Sequence, residues 1–480
     1  MPSALQRLLP LALLVAFALG LRLWDLDRRP MHADEANQAV KTGQLLEGRG
    51  YAFDPADHHG PTLYYAVLPV AWLRGEHTLA ELTETSVRLV PALAGALAVL
   101  LLYFLALPLG HWPALAAAAF LALSPPAVYY SRYFIQETLL LAFTLGALLC
   151  AKQWWRDGRL GWAVGAGLCV GLMQATKAST PLFVLAAFAG LAAARPSRPV
   201  SARWACDVVT ALLAALVTAG LFYSSFGTNP RGLTDALATY ASFGGRLATE
   251  TGHEKPWWYY LKLFGWQAKG GIFTHQIAFS LLALLGFVLA FRQDRESLLR
   301  GSAGFTLAVL VGLSLPAYKT PWHAIHLVPG MALLAAGTLF LLRRQPLIAA
   351  TVAVVILSSL VPQVGLTSFE RAADERNPYA YVHTSTDVRK AEVFVRAAVA
   401  QFPGQPIRVI SEEVWPLPWY LRGLPDVGYW GTVPADCDGA LVISSAGLAE
   451  EVQSRLRGTY TSHCVGLRPG FTLVVFKRQP

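Results

Sequence analysis

The chain returns repeatedly to apolar runs near 20 residues long, and this recurrence limits its fold more than any other feature. Such runs fall at about 8–24, 88–107, 112–130, 136–153, 160–176, 180–194, 205–224, 275–291, 302–316, 324–342 and 346–366. A run of that length matches the thickness of a bilayer core. Backbone polar groups cannot stay unpaired in lipid, so each run must be helical. The composition agrees: of 480 residues 54% are hydrophobic and 14% charged, and the mean hydropathy is +0.43. Soluble domains carry about 25% charged residues. The expected fold is a polytopic α-helical membrane protein of about eleven transmembrane helices with a small C-terminal α/β soluble domain.

Arg7 followed by 8–24 has the n-region and h-region of a signal anchor, and Ala18-Leu19-Gly20 is compatible with a cleavage site. The polar excursion 25–87 holds one apolar stretch, 61–72, too short to span and better suited to lying in the interface. A second long loop, 225–274, contains His253-Glu254-Lys255-Pro256-Trp257-Trp258-Tyr259-Tyr260 and runs on to Trp266. Trp and Tyr at that density suit the headgroup zone, which favours an interfacial anchor over direct substrate stacking.

Charge orients the chain. Lys152, Arg156 and Arg159, then Arg195, Arg198 and Arg203, then Arg292, Arg295 and Arg300, then Arg343 and Arg344 share one side. The short loops opposite carry Arg132, Lys177 and Lys319, one each, and the loop near His111 has no Lys or Arg. The positive-inside rule puts the first group in the cytoplasm. Loops 25–87 and 225–274 and the tail are then extracytoplasmic, at the cytoplasmic (inner) membrane. The net charge of +9 sits at the ends of apolar runs. It therefore reads as orientation charge and affinity for anionic membrane lipids, not for nucleic acid.

The expected division is a transmembrane domain over 1–366 and an extracytoplasmic α/β domain over 367–480. In the latter, Ser385 or Thr386 caps a helix whose apolar positions Val388, Ala391, Val395, Ala398 and Phe402 recur at helical spacing. Strands are expected at 407–411, 440–444 and 471–476, with a second helix at 448–457. Trp415-Pro416-Leu417-Pro418-Trp419-Tyr420-Leu421-Arg422 is aromatic enough to face a ligand or the membrane, with core packing as the default. Cys150, Cys169 and Cys206 lie in or beside spans; Cys437 and Cys464 fall in the tail, either as a disulfide or unpaired.

The chemistry-bearing stretch is Met31-His32-Ala33-Asp34-Glu35, just after the first run. Adjacent carboxylates at a membrane face serve as general bases, metal ligands, cap acceptors or solvated charge. Their company on that face gives them weight: Glu137 after Ser131-Arg132-Tyr133, Lys177, and Lys319, Trp322, His323 and His326. Ionisable residues gathered at one depth of a membrane protein mark a functional site. The set suits glycosyl transfer from a polyprenyl-phosphate sugar. Asp34 is the expected base, with Glu35 or Glu137 orienting it or sharing a divalent metal. Arg132, Lys177 and Lys319 are expected to hold phosphate oxygens; the alternative for each is a snorkelling side chain. His58 and His59 are expected to contact phosphate or a metal, or to stand exposed at a turn. Glu35, Glu137, His58 and His323 are the candidate metal ligands, although no local His spacing demands a metal.

These residues carry a resemblance. An acidic pair after the first span, a long outer loop, Arg88-Leu89-Val90-Pro91 and Ser131-Arg132-Tyr133…Glu137 resemble the GT-C membrane glycosyltransferases. The nearest branches are the protein O-mannosyltransferases and the aminoarabinose transferases of lipid A. The chain is most similar to the bacterial and archaeal set related to a flippase-associated N-glycosylation protein. That similarity is carried by His58-His59-Gly60-Pro61-Thr62-Leu63-Tyr64-Tyr65, by 253–260, by Lys319-Thr320-Pro321-Trp322 and by 418–422. It departs from the aminoarabinose transferases where His59-Gly60-Pro61 stands in place of Lys-Pro-Pro. The resemblance implies an inverting transferase with a polyprenyl-phosphate donor and Asp34 as base; His59 and Trp322 are further candidates for the donor side, although the departure at His59-Gly60-Pro61 does not carry the family's phosphate role onto His59. The acceptor is left open among protein, lipid and glycan. A second reading is a non-catalytic flippase accessory or transporter for a lipid-linked sugar. Transporters place ionisable residues near mid-membrane, whereas these lie at outer ends.

Overall fold

The structure, a computed structural model, describes residues 4–56, 59–195, 203–248, 254–292 and 297–480. Sequence expectations for His58, Arg198, His253 and Arg295 lie outside the described residues. In order, the helices are α1 Ala4–Leu23, α2 Ala33–Leu46, α3 Thr62–Leu73, α4 Glu84–Ala106, α5 His111–Leu123, α6 Pro125–Tyr130, α7 Glu137–Asp157, α8 Leu160–Gln174, α9 Thr180–Ala194 and α10 Arg203–Tyr223. There follow α11 Gly232–Ala248, α12 Tyr259–Phe264, the hairpin β1 Trp266–Lys269 and β2 Ile272–His275, then α13 Ile277–Arg292, α14 Ser297–Ser314, α15 Val328–Leu341 and α16 Pro346–Gly365. The chain forms two compact units. One comprises Met1–Trp24, Gly50–Ala66 and Arg88–Glu370; the other comprises Asp25–Arg49, Val67–Val87 and Arg371–Pro480.

The first unit is helical. Among the described residues, six helices are long and apolar enough to cross a membrane, and the other five expected crossings fall on shorter apolar helices. The span Pro321–Leu341, which ends in α15, is central: 83% of its apolar stretch is buried within the protein, against 6% for α10, whose side chains are left for lipid. Helices α8 and α10 approach closely because Gly167 and Gly171 lie four apart on one face. A Cβ at either position would stand 2.1 Å from Ala211 O or 2.6 Å from Ala215 O, so only glycine allows this contact.

The run expected as one span at 112–130 is instead α5 and α6. Pro125 and Pro126 lack N–H groups and force Ser124 to an extended φ, ψ of −66° and 122°, so α5 stops at Leu123. Arg22 takes up the exposed end: Nη1 donates to Ala122 O at 3.3 Å and Nη2 to Leu121 O at 3.5 Å. The loop expected at 225–274 holds α11, α12 and the β1–β2 hairpin. Its turn is Gly270-Gly271, with φ of 54° and 81°, the left-handed pair such a two-residue turn requires. Trp257 and Trp266 are exposed there, as suits a headgroup-zone segment.

The second unit contains α17 Val388–Gln401, β3 Ile407–Ile410, α18 Leu417–Tyr420, β4 Val427–Trp430, β5 Leu441–Ser445, α19 Ala449–Arg455, β6 Tyr460–Arg468 and β7 Phe471–Arg478. The sheet order is β4-β3-β5-β7-β6, parallel across β4-β3-β5 and antiparallel across β5-β7-β6. Val388, Ala391, Val395 and Ala398 bury the α17 stripe against Ile407, Val409, Ile443 and Val475, and Val452 of α19 packs with Ile410, Val442 and Phe476. Helix α17 begins after Asp387, whose N–H the Ser385 hydroxyl accepts at 3.2 Å. Strands β4 and β6 were not legible in the sequence: Gly428 interrupts one, and Thr461, Ser462 and His463 in the first half of the other are polar and exposed. Cys437 and Cys464 are both free, which removes the disulfide alternative; Cys437 is buried and its Sγ–H reaches Pro434 O at 3.2 Å.

Candidate functional site

The two acids of the first loop part company in the second unit. Helix α2 starts after His32, whose Nδ1 accepts the Asp34 N–H at 3.1 Å, while Glu35 Oε2 accepts the His32 N–H at 3.1 Å. This is a reciprocal capping box with histidine in the place usually held by Ser or Thr. Glu35 is fully buried, and its Oε1 lies 3.5 Å from Arg29 Nη2. Asp34 points elsewhere, because consecutive helical residues project about 100° apart. Its side chain is 52% exposed, with Oδ2 3.8 Å from His32 Nδ1. Of the pair, Asp34 is thus the accessible carboxylate, and Glu35 caps the helix that carries it. His383 lies edge-on to His32 with ring centroids 5.7 Å apart. Burial, and then the charges of Arg29 and His32, hold His383 well below the ordinary histidine range. Arg29 and His383 were missed in the sequence reading; the only local signal was Arg29 six residues ahead of Glu35.

The first unit brings four segments together around Lys177. Its ammonium is ion-paired with Glu137, the first residue of α7, and both side chains are almost wholly buried. His323 Nε2 lies 3.3 Å from Lys177 Nζ and 3.8 Å from Glu137 Oε1. An ammonium has only protons to give, so Nε2 accepts and the ring proton sits on Nδ1. There the Thr320 hydroxyl is 3.2 Å away and the Tyr260 hydroxyl 3.3 Å. Tyr260 also donates to Thr320 O at 3.1 Å, and burial pushes its hydroxyl up, keeping it a donor. Tyr260 and Thr320 lie within stretches singled out in the sequence, but nothing in their spacing placed them on His323.

The segment Gly60-Pro61-Thr62 lies along the chain that leads into Lys177. Gly60 N–H donates to Thr176 O at 3.1 Å, Thr62 N–H to Ala175 O at 3.2 Å, and the Thr62 and Thr176 hydroxyls are 2.7 Å apart. His59 is exposed and within electrostatic reach of His323. Trp322 is half-buried, its ring centroid 6.4 Å from that of His323.

Two of the expected phosphate cations have backbone partners. Arg132 Nη1 donates to Leu21 O and Arg22 O at 3.2 Å each and to Trp24 O, closing the C-terminal end of α1, and its guanidinium lies over Phe369 at 4.5 Å. Lys319, buried, donates to Lys255 O at 3.0 Å and to Pro316 O, tying two outer segments together. Among the described residues, no three His, Cys, Asp or Glu side chains converge as a metal-holding group.

Comparison with known proteins adds two findings. Residues 68–218 match the family model described as dolichyl-phosphate-mannose-protein mannosyltransferase. In fold, the chain is similar to ArnT from Cupriavidus metallidurans in the apo state, with a TM-score of 0.67, 16% identity and 97% of each chain covered. The chain has the GT-C fold. The recognition drawn from its motifs is met at that level. ArnT bound to undecaprenyl phosphate matches comparably, at a TM-score of 0.66, 16% identity and 97% coverage of both chains. The Archaeoglobus fulgidus oligosaccharyltransferase in complex with Zn and sulfate matches at 0.53 and 14% identity, over 96% of this chain and 73% of that one. No curated protein matches the chain in sequence.

Proposed function

We propose that this protein is a membrane glycosyltransferase, taking a sugar from a polyprenyl-phosphate donor to an acceptor on the outer face of the cytoplasmic membrane, with inversion. The observation that carries the reading is the first-loop acid: in a GT-C fold it is Asp34 that is exposed, on the first turn of a helix whose cap is fixed by Glu35 and Arg29. In the reaction the acceptor oxygen bonds to the anomeric carbon as the bond from that carbon to the phosphate oxygen breaks. The acceptor proton passes to Asp34, and the polyprenyl phosphate leaves with the bonding pair. Lys177 is the cation for that phosphate. Glu137 and His323 take two of its three ammonium protons and aim the third, with Trp322 and His59 beside the cluster. Support for the donor class comes from ArnT, whose structure holds undecaprenyl phosphate, and from the mannosyltransferase model. Arg132 and Lys319 are better suited to shaping the site through their carbonyl partners than to binding donor.

A divalent ion fits the residues poorly. Glu35 is committed to Arg29 and its own cap, and Glu137 to Lys177, so each carboxylate already has a cation. The arrangement of 1–366 in the membrane, with 367–480 outside it, follows from the positive-inside count.

The test measures transfer from a panel of radiolabelled polyprenyl-phosphate sugars in proteoliposomes, for wild type and Asp34→Asn. Expected is transfer by wild type that falls by about a hundredfold or more in the variant with donor binding retained. Robust transfer by Asp34→Asn would remove Asp34 as base. Binding of every donor without turnover by wild type would replace the enzyme with an accessory or transporter.

A further inference from the structure

The aromatic stretch around Trp419 has no part in the chemistry above, yet within the second unit it grips the loop that carries Asp34. Trp419 is fully buried, and its Nε1–H donates to Glu84 Oε1 at 2.8 Å. Arg422 stacks over that indole at 3.8 Å, and its Nε and Nη2 donate to Leu82 O at 3.1 and 2.9 Å. Its Nη1 returns to Trp419 O at 2.7 Å, so α18 is tied down on both sides. The next residue, Tyr420, turns its hydroxyl to the buried Met31, whose N–H it accepts at 2.9 Å.

Met31 immediately precedes the cap of α2. Rotation of its peptide would swing His32, and with it both halves of the box: the imidazole that accepts the Asp34 N–H and the amide held by Glu35. Other contacts hold the same stretch from the tail. Arg389 Nη2 donates to Asp27 O and Arg28 O at 2.8 Å each, and the His383 ring rests edge-on against His32. Tyr420 differs from these in acting on the Met31 N–H, one residue ahead of the cap.

We propose that Tyr420 is a positioning residue for the proton acceptor: its hydroxyl fixes the Met31 peptide and so sets the direction in which Asp34 projects from α2. The proposal rests on Asp34 being the base. It gives the tail domain a part in turnover without contact with substrate.

The test uses the full chain in nanodiscs, with Tyr420→Phe against wild type, read by amide exchange and by transfer from the polyprenyl-phosphate sugar on which wild type is active. A lost neutral hydrogen bond corresponds to about tenfold, so exchange at Met31 should rise about tenfold while that of β3 is unchanged. In transfer, kcat should fall about tenfold with the donor KM within about twofold, the signature of an interaction that matters only in the transition state. Unchanged exchange at Met31 would overturn the anchor. Faster exchange with unaltered kcat, or with a raised KM alone, would leave Tyr420 structural and overturn its positioning role. Absence of wild-type transfer would overturn the enzyme reading and the positioning role with it, while the exchange result still decides the anchor.

Discussion

Lys177 and Glu137 are 5% and 2% exposed, so each is the other's solvent. Removing one partner strands a buried charge, which costs about 3–5 kcal/mol, whereas replacing both with neutral groups of similar shape is close to neutral. Lys177→Met should therefore lower the thermal stability of the detergent-solubilised protein, and Lys177→Met with Glu137→Gln should restore most of it. Neither variant should transfer sugar if Lys177 holds the departing phosphate. Recovery of transfer together with stability in the double variant would reduce the pair to a structural one. The same attention to single side chains separates Asp34 from Glu35. In the sequence the two acids read as one motif; on the helix, one is exposed and the other lies at the cap with Arg29.

At the scale of elements, Gly60 lets a short motif pack directly on the turn that leads into Lys177. A Cβ there would stand 2.1 Å from Ala175 O, in the turn between α8 and Lys177. Gly60→Ala must push the two strands of chain apart, and such overpacking costs about 1–3 kcal/mol. We expect a lowered melting temperature with a raised donor KM, because the turn that moves is the one presenting Lys177. A stability loss with the donor KM unchanged would show that the turn relaxes away from the lysine. His59-Gly60-Pro61 was legible as a turn with histidines, but the close approach of its backbone to residues 175–176 was not. Nothing local in the sequence pairs segments more than a hundred residues apart.

On the scale of the whole molecule, acid bears on the stability of the second unit through one buried histidine. His383 is buried neutral in the second unit, with a folded pKa well below the ordinary 6.5. Below about pH 6.5 the unfolded chain takes up a proton that the folded unit refuses, so stability is full above that value and falls as the pH drops. Between about pH 7.5 and about 5.5 that stability is progressively lost. Thermal unfolding of the full chain should show the second unit weakening over that interval, and His383→Gln should flatten the dependence. An unchanged pH slope in the variant would mean that other groups set it.

Composition and periodicity alone determined that this is a helical membrane protein with a small α/β unit. Lipid leaves the backbone no alternative to helices, and the apolar stripe of α17 appears at the period its packing demands. They also determined which residues to look at, since a charged group at a span end is costly enough to stand out against an apolar background. Only the tertiary structure decided which partners those residues have. It joined 31–35 to Tyr420 and His383, gathered Glu137, Lys177, Tyr260 and His323, and committed Arg132 and Lys319 to carbonyls. It also separated adjacent acids into an exposed carboxylate and a buried cap. Identity and spacing carry a side chain's chemistry, but its partners come from distant parts of the chain, and burial and hydrogen bonding with those partners settle which of its roles remains.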